Sequence, residues 1–212
     1  MTETNSSERT ERRTIAALYE FTAGVLADPP SPSAVERIVE TGIPEPEAAP
    51  NEHLQRGFDL LNRWRRSVDD VEAAADTLER RHTLLFVGPK PKLLIHESYY
   101  AEDYLGKPLA RVQGTYAGLG LEPAPDLREE ADHAAVELQT LALLTRREAE
   151  SPADKERFLR DHGWWFDELG IDIEDAAEES PFYRAVGAIA AGLVRFDAER
   201  FDIDLERPAA LE

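Results

Sequence analysis

The chain of 212 residues is long enough for one domain with a small appended lobe, and its 42% hydrophobic content suffices to fill a core. It contains no cysteine, which excludes disulfides, thiolate metal sites and a cysteine nucleophile. Its formal net charge of −19, without any basic stripe, argues against nucleic acid as a partner.

The first residues are polar and charged, and they lack the apolar core of a secretory signal peptide. No run of about 18 apolar residues occurs anywhere, so the sequence predicts no transmembrane helix. We therefore expect a cytoplasmic protein.

The 43 acidic residues are spread along the chain instead of being gathered in a tail. This pattern is typical of proteins from halophilic archaea, whose acidic surfaces stay hydrated in concentrated salt. An ordinary acidic protein with a cationic partner is the alternative, but a binding patch would concentrate the charge. Because the Debye length at 1 M salt is about 3 Å, any ligand would have to be held by direct contacts and apolar burial.

Apolar residues follow helical spacing in about eight segments, which are separated by proline- and glycine-containing breaks. No segment alternates like a strand, so we predict an all-α protein, a single-domain bundle around one core. A disordered lead is expected over residues 1–10, the helical domain over 11–200 and a loose acidic tail over 201–212. The predicted helical segments are 15–26, 35–39, 54–65, 71–86, 107–119, 130–147, 152–169 and 181–196.

The helix predicted after residue 130 carries Asp132, His133 and Glu137 in its first half. His133 and Glu137 are four residues apart and would be neighbours on one side of the helix. An acid in a first turn complements the positive helix end, whereas a charged histidine does not. A solvated surface is the simpler interpretation of these residues on composition alone.

An enzyme alternative comes from two Glu-x-x-His pairs, Glu79 with His82 and Glu130 with His133. Two such pairs on facing helices, with further carboxylates, bind di-iron in ferritin-like bundles. With 43 acidic residues and five histidines, however, such pairs are expected by chance. No glycine-rich phosphate loop and no Gly-x-Ser-x-Gly elbow occurs in the sequence.

Several segments together resemble the TorD/DmsD family of cytoplasmic chaperones for molybdenum-containing reductases. They match the family's Leu-Phe-x-Gly-Pro, Glu-Ser-x-Tyr, Asp-His-x3-Glu-Leu and late aromatic motifs in order and spacing. The prolines usual before Glu-Ser-x-Tyr are absent here, which leaves the client undefined. The matching segments are Leu85-Phe86-Val87-Gly88-Pro89, Glu97-Ser98-Tyr99-Tyr100, Asp132-His133-x3-Glu137-Leu138, Phe158-Leu159-x2-His162-x2-Trp165 and Pro181-Phe182-Tyr183.

This resemblance implies an all-helical fold and a binding protein that catalyses no reaction and needs no cofactor or metal. It implies that the client is the catalytic subunit of a molybdopterin-dependent reductase of the DMSO/TMAO type. The chaperone would bind its twin-arginine signal peptide and delay export until the cofactor is inserted. A NarJ-like nitrate-reductase chaperone is the alternative client assignment. A monomer is expected, with a domain-swapped dimer as the alternative.

The resemblance also implies a peptide-binding site. In it, Leu85, Phe86 and Tyr100 would form an apolar groove, and Asp132 and Glu137 would pair with arginine guanidiniums. A position in the core is an equal alternative for Leu85 and Phe86, and a helix cap is an equal alternative for Glu97. The full predicted set is Leu85, Phe86, Gly88, Pro89, Glu97, Ser98, Tyr100, Asp132, His133 and Glu137.

Overall fold

A computed structural model describes residues 2–122, 124 and 128–211 of the chain. Within these residues the structure is all-α and has no strand, which confirms the predicted fold class. Ten α-helices are present in the described part of the chain: α1 Thr2–Ala27, α2 Pro32–Thr41, α3 Glu52–Arg66, α4 Val71–His82, α5 Glu97–Tyr100, α6 Lys107–Gly118, α7 Ala134–Arg147, α8 Pro152–His162, α9 Phe166–Ala176 and α10 Pro181–Arg200. Short helical turns are Pro46–Ala48, Thr83–Val87 and Ala209–Leu211.

The described helices outnumber the eight predicted for two physical reasons. First, α5 is a single turn of four residues, too short to show an apolar period. Second, the segment predicted as one helix over 152–169 is two helices, because α8 ends at His162 with Gly163 as its C-cap, and α9 begins at Phe166. Helical backbone also begins at Thr2, inside the predicted lead. The domain boundaries stay predictions, and Met1 and Glu212 lie outside the described residues.

The chain divides into two compact units. Unit 1 comprises residues 1–23, 96–165 and 197–212, and unit 2 comprises residues 24–95 and 166–196. In the described part of the chain, no helix is long and apolar enough to cross a membrane.

Unit 1 contains a buried ionic cluster as well as an apolar core. Lys155 is fully buried, and its Nζ lies 2.9 Å from Glu148 and 2.7 Å from Asp197. Tyr19 donates a hydrogen bond of 2.8 Å to Asp197, and Arg200 pairs with both acids. Since a buried charge is tolerated only when it is paired, this cluster fixes α1, α7, α8 and α10 in one arrangement within the unit.

Unit 2 relies on close helix contacts at glycines. A Cβ on Gly187 of α10 would lie 2.8 Å from the Gly170 carbonyl oxygen and 2.9 Å from the Cβ of Ile173, both in α9. A Cβ on Gly57 of α3 would lie 2.6 Å from a side-chain carbon of Ile189. These positions allow the helix backbones to approach more closely than any side chain permits.

We predict that Gly187→Ala lowers the free energy of unfolding by about 1–3 kcal/mol, because the added methyl group overpacks the contact between α9 and α10. The matched control is Gly114→Ala, at an exposed position inside α6 with open space around it. That change should stabilise the protein by about 0.5–1 kcal/mol through helix propensity. Chemical denaturation of both variants measures the difference, and equal effects would contradict the packing described here.

Candidate functional site

The Glu-Ser-x-Tyr and Asp-His-x3-Glu-Leu motifs are joined by hydrogen bonds in unit 1, although Ser98 and Asp132 lie 34 residues apart in the chain. The N–H of Glu97 donates to the Asp132 carbonyl at 2.9 Å, and the N–H of Ser98 donates to the Asp132 carboxylate at 3.1 Å. Asp132 is fully buried. It therefore satisfies the free N–H groups at the start of α5 and fixes this short helix in place.

His133 begins α7 as its N-cap residue. Its Nδ1 accepts a hydrogen bond of 3.2 Å from the N–H of Ala135, so this nitrogen carries no proton. Its ring lies edge-on against that of His96, with 5.0 Å between centroids. Burial lowers the pKa of His96, although Asp132 and Glu129 act in the opposite direction. The unfavourable charge expected for a histidine at a helix start is thus avoided by a neutral cap.

Glu97 is the central acceptor of the site, and its side chain is fully buried. One carboxylate oxygen accepts from Arg111 at 3.1 Å and from the Trp164 indole at 3.0 Å. The other lies 2.7 Å from Nδ1 of His162, whose Nε2 lies 2.9 Å from the Thr115 hydroxyl. Both oxygens are therefore used, and Glu97 does not cap α5 with its side chain.

Glu137 is a second fully buried carboxyl group near Glu97. Its Oε2 accepts a hydrogen bond of 3.0 Å from the Trp165 indole, and its Oε1 has no donor. Burial, followed by repulsion from the Glu97 charge, raises the pKa of Glu137 well above its ordinary value. The protonated form can donate to Glu97, so the pair is stable with one negative charge.

Ser98 and Tyr100 shape the chain that leaves α5. The Ser98 hydroxyl accepts from the N–H of Leu105 at 3.0 Å, and the Tyr100 ring packs 5.2 Å from that of Trp165. Glu102 and Leu105 take the left-handed backbone conformation, with φ of 60° and 56°. Such angles are costly outside glycine, so the buried residues beneath must hold this loop in shape.

The result is an exposed apolar and acidic patch, which we call the 99–105 surface: Tyr99, Glu102, Asp103, Tyr104 and Leu105. Tyr99, Tyr104 and Leu105 keep 48%, 47% and 45% of their surface in solvent. Tyr104 packs on His96 at 5.5 Å. Three large side chains exposed within seven residues form an apolar patch beside two carboxylates, which makes this surface a candidate binding site.

The remaining predicted residues lie in unit 2. Leu85 is buried, and Phe86 packs against Tyr183 with 5.7 Å between ring centroids. The N–H of Gly88 donates to the Thr83 carbonyl at 2.7 Å and closes the helical turn, and Pro89 follows in an exposed bend. The exposed apolar side chains of this turn are Leu84 and Val87, which the sequence motif did not single out.

Sequence reasoning did not assign a role in the site to Arg111, His162 or Trp164. His162 lies in a matched segment and Trp164 lies next to Trp165, yet their bonds to Glu97 join residues 65 and 67 positions apart. A fully buried carboxylate requires several hydrogen-bond donors. This requirement is the one signal that could have pointed to these three residues.

The family model of the nitrate reductase delta subunit matches residues 51–169, which is more than half of the chain. The chain belongs to the nitrate reductase delta subunit family. This is the family of NarJ/TorD-type chaperones, so the resemblance predicted from the motifs is confirmed. The family consists of assembly factors for molybdenum-containing enzymes. A search of curated proteins finds no match to this chain.

The di-iron alternative receives no support from the site. Across residues 2–122, 124 and 128–211, no group of three or more histidine, aspartate or glutamate side chains is arranged to hold a metal ion. His82 instead lies 3.2 Å from the Leu26 carbonyl, and His133 serves as a helix cap.

We predict opposite effects for two isosteric substitutions of the buried carboxyl pair. Glu97→Gln should lower the free energy of unfolding by about 3 kcal/mol, because it leaves the half-buried Arg111 and the buried His162 without their anion. Glu137→Gln should be neutral or stabilising at neutral pH, because burial and the nearby Glu97 charge disfavour the ionised form of Glu137 in the folded state. Chemical denaturation measures both, and equal losses would contradict the assignment.

The same pair predicts a pH dependence. Because the folded-state pKa of Glu137 is raised, the folded protein keeps a proton that the unfolded chain loses above about pH 4.5. Stability from this group is therefore fully present below that pH and falls as the pH rises, by at most about 1.4 kcal/mol per unit. Glu137→Gln should remove this slope in denaturation measured at pH 5, 6, 7 and 8, and an unchanged slope would contradict the raised pKa.

Proposed function

We propose that this protein is a cytoplasmic chaperone that binds the twin-arginine signal peptide of a molybdopterin-dependent oxidoreductase. It holds the catalytic subunit until the cofactor is inserted and so delays export. The observation that carries this proposal is the 99–105 surface, which is apolar, aromatic and acidic and rests on two motifs of the assembly-chaperone family.

The chemistry of this surface complements such a peptide. A twin-arginine leader offers guanidinium groups beside an apolar stretch. Glu102 and Asp103 supply carboxylates, and Tyr99, Tyr104 and Leu105 supply ring faces and apolar area. Direct contacts of this kind survive in concentrated salt, where long-range attraction is screened.

The burial of Glu97, Asp132 and Glu137 supports an indirect role for these acids. These side chains are fully buried, so they cannot reach a peptide unless α5 leaves its position. We therefore assign them the task of holding the loop that carries the 99–105 surface. In unit 2, Leu84 and Val87 of the Thr83–Val87 turn are a separate candidate contact for apolar client residues.

The second candidate function is the assembly of a nitrate reductase. The name of the matched family favours it over a DMSO or TMAO reductase. Both functions use the same binding chemistry, so they differ in the client alone. Mass spectrometry of the catalytic subunit that co-purifies with the chaperone from native lysate distinguishes them.

We predict that the double variant Tyr104→Ser, Leu105→Ser weakens the binding of a synthetic twin-arginine peptide by about tenfold or more, because it removes two large contact side chains. Calorimetry in molar potassium chloride measures the affinity. Ile171→Ser removes another exposed apolar side chain, at 55% exposure in α9, and should leave the affinity unchanged. Unchanged affinity in a folded double variant would contradict the 99–105 surface as the site.

A further inference from the structure

The C-terminal segment lies on unit 1 in the manner of a bound peptide. After α10, residues 203–208 have no regular secondary structure. Side chains alternate along it between half-buried and exposed positions, which is the period of an extended chain with one face against the protein. From residue 203 to residue 207, the half-buried positions are Ile203, Leu205 and Arg207, and the exposed positions are Asp204 and Glu206.

Arg207 occupies a site made of three kinds of partner. Its Nη2 donates to the Ala101 carbonyl at 2.7 Å, and its guanidinium lies over the Trp164 ring, 5.6 Å from the centroid. Its Nη1 lies 3.7 Å from the carboxylate of Glu102. A carbonyl, an aromatic face and a carboxylate together form a site for a planar cation.

The buried acid network positions this site. The Trp164 indole N–H donates to Glu97 at 3.0 Å, which fixes the edge of the ring and leaves a face for the guanidinium. Glu97 is therefore a positioning residue that acts through Trp164. Ala101 and Glu102, which supply the other two partners, follow directly after α5.

We propose that this guanidinium site receives an arginine of the client peptide and that the tail, residues 201–211, occupies it as an intramolecular competitor when no client is bound. The inference rests on the proposed function and adds the arginine subsite and its regulation. Like a twin-arginine leader, the tail combines an arginine with apolar side chains, and Glu102 belongs to the 99–105 surface.

The tail is suited to be displaced. The Nε of Arg207 has no hydrogen-bond partner, and Glu102 is 86% exposed and only loosely paired. A client arginine that forms the missing hydrogen bond and a closer ion pair with Glu102 would bind more tightly than the arginine of the tail. Because the apparent dissociation constant rises as the fraction of open sites falls, a tail docked about 90% of the time weakens client binding about tenfold.

The first experiment compares full-length variants by calorimetry with a synthetic twin-arginine peptide. Arg207→Ala should bind the peptide about tenfold more tightly than the unmodified chain, because the competitor loses its cation. Arg160→Ala is the matched control, since Arg160 makes an exposed ion pair with Glu156, and it should leave the affinity unchanged. Unchanged or weaker binding by Arg207→Ala would overturn the competitor role.

A second experiment tests the guanidinium site without any client. A peptide with the sequence of residues 201–212 is added to the full-length Arg207→Ala chain. It should bind, and a peptide with lysine in place of the arginine should bind about fivefold or more weakly, because lysine lacks the planar fork. Glu102→Gln, at an exposed position, and Trp164→Leu should each reduce binding.

The two experiments separate failure of the site from failure of the function. Equal binding of the arginine and lysine peptides, or no binding of either, would overturn the guanidinium site even if a client peptide binds elsewhere. Binding of the tail peptide together with no binding of the twin-arginine peptide to the same variant would overturn the proposed function while the guanidinium site stands. Binding of both peptides without displacement would overturn the competitor role of the tail. Displacement of the tail peptide by the twin-arginine peptide supports both.

Discussion

The hydrogen bonds that Asp132 accepts from the start of α5 determine the geometry of the site. They place Glu97 inside unit 1, where its carboxylate meets Arg111, His162 and Trp164. A buried carboxylate is stable only with such a complete set of donors, so the acid selects one arrangement of α5, α6 and the end of α8. This arrangement determines the conformation of the loop after α5. In that loop Glu102 and Leu105 take the left-handed conformation, and Tyr104 and Leu105 are exposed to solvent.

Charge serves two purposes in this protein. On the surface, ion pairs such as Arg160 with Glu156 are exposed to solvent and are screened by salt. In the interior, Lys155 with Glu148 and Asp197 is removed from the solvent and is screened much less. The same distinction applies to binding, since a guanidinium over the Trp164 ring is held by contact and depends little on distant charge.

Helical periodicity predicted the all-α class and most of the helices, because each long helix buries an apolar stripe. It could not predict α5, whose single turn is held by a tertiary contact with Asp132. The motifs identified the family. They did not reveal that Glu97 and Glu137 are buried, because burial depends on donors such as His162 and Trp165 that come from distant positions. The reason for a histidine at the start of α7 also lies in the structure, because Nδ1 of His133 caps the helix.

The proposed function and the proposed competition by the tail together require that the client peptide contact the loop held by the buried carboxylate network and release the tail from it. Amide hydrogen exchange of the full-length chain, with and without a twin-arginine peptide, measures both changes. The peptide should slow exchange over residues 97–106 and speed it over residues 201–211. Slower exchange confined to residues 83–89, with residues 97–106 and the tail unchanged, would contradict it.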